Sequence, residues 1–112
     1  MILKNKAFGL LGLCARAGRM VSGEFMTEKT IKENKAYLVI VAVDASDNTK
    51  KLFNDKCSFY HVPVREYGTK EELGKAIGKE MRASIAICDQ GFAGQIVKHI
   101  DSSLESLVQG GN

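Results

Sequence analysis

Asp44 and Asp89 each directly follow an apolar stretch that reads as a strand, and the strand ends of α/β sheets are where ligands gather. If those strands were parallel neighbours, the two carboxylates would converge on a divalent cation or a phosphoryl-transfer site. That defines one function class, a small metal-dependent phosphoryl-transfer or phospho-accepting domain. The competing reading is structural. Aspartate immediately before a helix is a common N-cap, and both Asp44-Ala-Ser and Asp89-Gln-Gly have the look of caps or turns. Capping stands ahead of catalysis.

The other reactive side chains narrow the choice. His61 and His99 are the two histidines, without the H-x-x-x-H or H-E-x-x-H spacing of zinc hydrolases. GxSxG, P-loop and GxGxxG patterns are absent from the sequence. His61 flanks a strand and reads as a turn or edge residue, and His99 reads as the solvent face of the last helix. Cys14, Cys57 and Cys88 lie too far apart for the short spacings of zinc sites or redox dithiols. Their odd number favours reduced thiols, and the apolar neighbours of Cys14 and Cys88 mark both as small buried hydrophobes. The expectation is a protein that is not an enzyme and has no metal, cofactor or small-molecule substrate.

A binding reading rests on Val21-Ser-Gly-Glu-Phe-Met-Thr-Glu-Lys29. This segment sets a helix start beside Gly23, downstream of Arg16 and Arg19, with Lys29 and Lys32 one turn apart and Lys35 ending the element. The N–H groups and positive dipole end of a helix start attract phosphates, and a glycine there admits an RNA backbone without a Cβ collision. Charge distribution supports the same region. Residues 1–35 carry seven Lys or Arg against three Glu, whereas residues 36–112 carry nine against ten acids, so the whole excess of the net +3 lies in the first third. Such asymmetry suits a polyanion, since cations near phosphates gain affinity through counterion release. An ordinary capped helix with scattered lysines is the bland alternative. A second basic cluster, Asn48-Thr-Lys-Lys51, stands at another helix start.

The elements that must position these residues alternate. Ala7, Leu10, Leu11 and Cys14 recur at helical spacing, so about Lys4 to Ala17 predicts an amphipathic helix ended by Gly18. Gly9 and Gly12 weaken it, and a neighbour packed closely against them is the usual reason to keep them. A short extended piece, Met20 to Ser22, leads to a helix from about Gly23 to Asn34 with Ser22 or Gly23 as N-cap and Met26, Thr30 and Ile31 inward. Tyr37 to Val43 is a continuous apolar run, predicting a central strand buried on both faces. A third helix carries Leu52 and Phe53 through to Cys57, and a strand begins near Pro63. Thr69 and Glu72 form a capping box ahead of Leu73, Ala76 and Ile77. Ser84 to Cys88 is a last strand, and Ile96, Ile100, Leu104 and Val108 recur along a C-terminal helix. The pattern predicts an α/β fold, a three-layer α/β/α sandwich around a mixed sheet of about four strands.

Length and composition agree. A chain of 112 residues, 45% apolar and 26% charged, suits a single soluble domain over residues 1–112. No apolar run reaches the roughly 18 residues of a membrane span, and the first apolar stretch runs into Arg16 and Arg19 without a cleavable signal. A cytoplasmic location without membrane contact is expected. An exposed apolar patch on the last helix, with Leu104 and Leu107, offers a third class, a protein-interaction module.

Three strings together carry a resemblance: Leu11-Gly-Leu-Cys-Ala-Arg-Ala-Gly-Arg-Met-Val-Ser-Gly-Glu24, the strand with Asp44-Ala-Ser-Asp-Asn-Thr-Lys-Lys51, and Glu72-Leu-Gly-Lys-Ala-Ile-Gly78 followed by Ser84-Ile-Ala-Ile. Over about residues 4–100 the chain resembles the kink-turn-binding ribosomal protein superfamily, and within it the bacterial YlxQ-like branch. The resemblance implies non-enzymatic binding of structured RNA, ribosomal RNA above all, by a ribosomal protein or ribosome-associated factor, with other ribosomal components as further partners. It implies a groove-facing helix start at Gly23, Glu24, Phe25, Met26 and Lys29. It also implies a loop, Lys79 to Ser84, whose Met81, Arg82 and Ala83 cover an extruded nucleotide. Arg16, Arg19, Lys29 and Lys32 would hold phosphates. Relatives commonly carry Asn-Glu or Lys-Gln at the pair corresponding to Phe25 and Met26, so here an aromatic ring and a thioether replace hydrogen-bonding base readers, and Phe25 either stacks on a base or packs inward.

Overall fold

The computed structural model describes residues 5–110, with side chains as far as residue 104. In chain order it contains α1 (Lys6–Arg16), β1 (Met20–Ser22), α2 (Glu24–Lys32), β2 (Leu38–Val41), α3 (Asp47–Tyr60), β3 (Val64–Glu66), α4 (Lys70–Ala76), β4 (Ser84–Ile87) and α5 (Gln90–Gly110). The strands form one sheet in the order β1-β4-β2-β3. β4 runs antiparallel to both neighbours, and β2 pairs with β3 in parallel. Helices α1, α4 and α5 pack together on one face, and α2 and α3 on the other. The result is the expected α/β/α sandwich around a mixed sheet.

The central strands β2 and β4 are buried at every position, which is why they read as unbroken apolar runs. Burial stops short of the run's ends: Tyr37 and Val43 are exposed, and both lie outside the paired part of β2, Leu38–Val41. The helices cover the sheet with Leu11, Ile31, Phe53, Leu73, Ile96 and Ile100, all fully buried. Side chains start four of the five helices. Asn5 caps α1, Ser46 caps α3, Thr69 and Glu72 cap α4 as a reciprocal box, and Asp89 accepts from the Phe92 N–H at 2.8 Å to cap α5. α1 ends as expected, with Gly18 at φ 71° and the Arg19 N–H bonded back to the Cys14 carbonyl.

Three sequence expectations are corrected. Met26 is not inward: the buried face of α2 is Thr27, Thr30 and Ile31, and Met26 lies one residue, about 100° of helical rotation, off it. Gly12 does meet a close neighbour, since a Cβ there would stand 2.9 Å from the Ala76 carbonyl oxygen of α4, but Gly9 faces open space. His99 is half-buried rather than fully on the solvent face. Cys57 is buried beside Phe53 in the inner row of α3. Leu104 is exposed on α5, while Leu107 and Val108 lie outside the described side chains. No described helix is long and apolar enough to cross a membrane.

α5 is tied to edge strand β3 by a two-pronged pair: Arg65 Nε donates to Asp101 Oδ1 at 2.7 Å and a terminal nitrogen donates to Oδ2 at 3.0 Å. The guanidinium holds the Asp101 carboxyl below its ordinary value of 3.8. A depressed native pKa contributes stability above the unfolded value and loses it as pH falls further. Asp101→Asn should therefore lower stability by under about 1 kcal/mol at pH 7. Denaturant melts of the two proteins should converge as pH falls below 3.8, and a gap that persists at lower pH would contradict this account.

Candidate nucleic-acid interface

Strand direction decides which loops meet. Ser22 stands opposite Ile85 and Val41 opposite Ser84, so the exits of β1 and β2 and the entry of β4 share one end of the sheet. The start of α2, the loop between α4 and β4, and residues 42–46 gather there. The same antiparallel pairing of β2 with β4 separates Asp44 from Asp89, one past each end of the sheet. Their expected convergence on a cation is thus corrected. Each carboxylate is already occupied: Asp44 accepts from the Lys70 N–H at 2.8 Å, capping α4 rather than its own following helix, and Asp89 caps α5. Among the described residues no group of three or more His, Cys, Asp and Glu could hold a metal ion.

Helix α2 differs from the other four in having no side-chain cap. Gly23 takes the N-cap position at φ 93°, ψ 155°, a conformation open to glycine and costly for residues with a Cβ. Its N–H bonds the Ser84 carbonyl at 3.0 Å, which fixes the helix start against β4. The first-turn N–H groups at Glu24, Phe25 and Met26 are left to whatever acceptor approaches. Glu24 is exposed, Phe25 is 76% exposed and Met26 39%. The ring of Phe25 therefore projects from the surface and does not pack inward.

The loop before β4 is held close to this helix start. Its backbone folds onto α4, with the Lys79 N–H bonding the Gly74 carbonyl at 2.8 Å and the Arg82 N–H bonding the Lys70 carbonyl at 3.0 Å. The fit requires glycine at position 74, because a Cβ there would overlap the Glu80 carbonyl. Ala83 accepts from the Ala42 N–H at 2.9 Å, and Ser84 Oγ donates to Thr27 Oγ1 at 3.3 Å inside the protein. Arg82 is a strut: its Nε donates to Ser22 Oγ at 3.0 Å and its Nη1 to the Met81 carbonyl at 3.0 Å. It ties Met81, 57% exposed, to the residue that precedes Gly23. Val43, 46% exposed, follows Ala42, whose N–H bonds this loop. Sequence reasoning placed Val43 in the buried strand, offered Ser22 as an alternative N-cap of α2, which the structure corrects to Gly23 with Ser22 Oγ accepting from Arg82 instead, and gave Gly74 no packing role. The polar turn that begins at Asp44 was the available sign that the strand had already surfaced at Val43.

The cations are less evenly placed. Lys29 and Lys32 continue along α2 and pair with Glu33 at 3.6 Å and Glu28 at 3.5 Å, and Lys56 of α3 also reaches Glu28. Lys50 and Lys51 pair with Glu66 and Asp55. Such exposed pairs are worth little and exchange readily for phosphate. Arg16 lies beside β1, on the side away from β4, whereas Arg19 stands opposite Cys88 at the far end of β1 from Gly23. The structure thus brings together Gly23, Glu24, Phe25, Met26, Met81, Arg82 and Ala83, with Lys29, Lys32 and Arg16 flanking and Arg19 set apart. Burial pushes the thiols of Cys14 and Cys57 up to about 11, that of Cys14 helped by the nearby Asp89, so neither is a thiolate at neutral pH.

The three-layer α/β domain thus offers a helix start without a side-chain cap beside a loop that exposes Met81. Residues 5–97 match the Ribosomal protein L7Ae/L30e/S12e/Gadd45 family, and the chain belongs to that family. It is 45% identical over 94 residues to the RNA-binding protein YlxQ of Bacillus subtilis (strain 168), which spans 84% of this chain and 94% of that protein. The large ribosomal subunit protein eL8 of Thermoplasma volcanium is 27% identical over 106 residues, 94% of this chain and 88% of its own length. Among solved structures, a protein from Bacillus halodurans C superposes with a TM-score of 0.85 at 40% identity, covering 87% of this chain and 98% of that one. The 15.5kD RNA binding protein of Giardia lamblia gives 0.73 at 25% identity, covering 96% and 91%.

The Gly74 contact yields a direct test. Gly74→Ala must displace the loop, and overpacking of this kind costs about 1–3 kcal/mol. Hydrogen exchange should speed up at the Lys79 and Arg82 amides, which the loop fold protects, and unchanged exchange there would refute the assignment.

Proposed function

We propose that this chain binds structured RNA without catalysing a reaction, acting in the cytoplasm as a ribosomal protein or ribosome-associated factor. The preferred ligand is a kink-turn or related internal loop, in ribosomal RNA above all. One observation carries the reading. Within a family whose relatives include RNA-binding and ribosomal proteins, α2 is the helix without a side-chain cap, and its open start lies beside exposed Phe25, Met26 and Met81.

The labour divides by chemistry. The bare N–H groups after Gly23 receive acceptor atoms of a phosphate or base edge. Glu24 supplies an acceptor. Phe25, Met26 and Met81 contact unstacked bases, and Ala83 completes the loop that covers them. Arg82 acts from behind by holding that loop. Lys29 and Lys32 give up their weak pairs to phosphates, with Arg16, and Arg19 more remotely, adding to the positive field. Shape and stacking replace the hydrogen-bond readout of a polar pair, because neither Phe25 nor Met26 has a strong donor or acceptor.

Two substitutions separate the contributions in fluorescence anisotropy with a kink-turn hairpin. Phe25→Ala should weaken binding by about 1–3 kcal/mol, as loss of a base-stacking ring does, and wild-type affinity would refute the stacking role. Lys29→Ala should weaken binding to all RNAs alike and flatten the slope of log affinity against log salt by about 0.9, one phosphate's worth. An unaltered slope would remove Lys29 from the interface.

A further inference from the structure

Beside the α2 start lies a second surface feature. A shallow groove of about 380 Å³ runs between the last turn of α1, edge strand β1 and the turn after α4, lined by Ala15, Arg16, Ser22, Ile77, Gly78 and Lys79 together with Met20 and Val21. Two of its lining residues are cations and none is acidic. Among the described residues neither Arg16 nor Lys79 forms an ion pair.

The floor of this groove is backbone with unused hydrogen-bonding capacity. β1 is an edge strand. Arg19 accepts from the Cys88 N–H and Gly23 donates to the Ser84 carbonyl, so the residues that bond to β4 are the odd-numbered ones. Alternation in an antiparallel pair then turns the N–H and C=O groups of Met20 and Ser22 away from β4, toward the groove. Of the carbonyls at the end of α1, those of Leu13, Cys14 and Ala15 are engaged by the N–H groups of Ala17, Arg19 and Gly18.

Ser22, on the groove wall, is followed directly by Gly23, so the groove begins where the helix start ends. Resting on the RNA-binding reading above, we propose that it receives the sugar–phosphate backbone of a single RNA strand that continues past the α2 start. Arg16 and Lys79 hold its phosphates, and the edge groups of Met20 and Ser22 meet its ribose hydroxyls. A three-residue edge is short for pairing with an added peptide strand, whereas two cations lining an open channel suit a flexible polyanion.

The test uses the full chain and two synthetic RNAs, a blunt-ended kink-turn duplex and the same duplex with a single-stranded extension on its bulged strand. Arg16→Ala with Lys79→Ala should bind the extended RNA about tenfold more weakly than wild type and reduce its salt slope by about 1.4, two single-strand phosphates' worth. The blunt RNA should lose only the smaller share that Arg16 contributes to it through the positive field, and thermal melting should be unchanged because both side chains are exposed. If the double variant matches wild type on the extended RNA in affinity and slope, the groove assignment falls and the RNA-binding reading stands. An equal loss on both RNAs also overturns it, because the cations would then serve the helix start itself. If wild type binds neither RNA, both readings fall together.

Discussion

The antiparallel pairing of β4 with both of its neighbours is the constraint on which the rest of this structure depends. It sets the exit of β1, the exit of β2 and the entry of β4 at one end of the sheet, and so makes three segments distant in sequence into one surface. Ser84 is where they join. Its carbonyl accepts from Gly23, its hydroxyl lies against Thr27 inside the protein, and it opens the fully buried strand that both edges of the surface lean on. With parallel pairing the helix start and the loop would lie at opposite ends, as Asp44 and Asp89 do in fact.

Glycines set the spacing within that frame. Gly12 admits the end of α4 against α1, and Gly74 admits the loop backbone against α4, so one short helix is in close contact on two sides where a methyl group would intrude. Arg82 then spans from the loop to Ser22. The apolar part of the surface is therefore rigidly presented, by backbone bonds and a strut, while the charged part is made of exposed lysine–glutamate pairs that come apart at little cost. A site with this division fits its ligand through shape and stacking. It gains affinity through charge, a share that salt can screen.

The first turn of a helix and the edge of a sheet share a physical feature, backbone groups with no internal partner. The other four helix starts are satisfied by side chains, at Asn5, Ser46, Thr69 and Asp89. At the α2 start and along the outer edge of β1 no side chain among the described residues does so, and the two are contiguous through Ser22 and Gly23. They form one strip of exposed donors and acceptors flanked by Arg16, Lys79 and the exposed ring of Phe25, suited to a ligand made of phosphates, hydroxyls and flat bases.

Much of this was legible in the sequence. Helical and strand periodicity, the Thr69–Glu72 box, the Gly18 terminator and the Gly23 helix start are encoded in residues a few positions apart, and the sandwich follows from their alternation. The sequence also marked the positive first third and the loop from Lys79 to Ser84. What it could not settle are relations between distant segments: the direction of β4 against β2, which parts Asp44 from Asp89; the turn of α2 that leaves Met26 outside and Thr27 within; the engagement of Arg82 with Ser22; and the contact that demands glycine at position 74. Composition and period fix how a segment folds on itself, because those energies act between near neighbours in the chain. Which groups face one another across the protein is settled by the packing of all the elements at once, and only the tertiary structure records it.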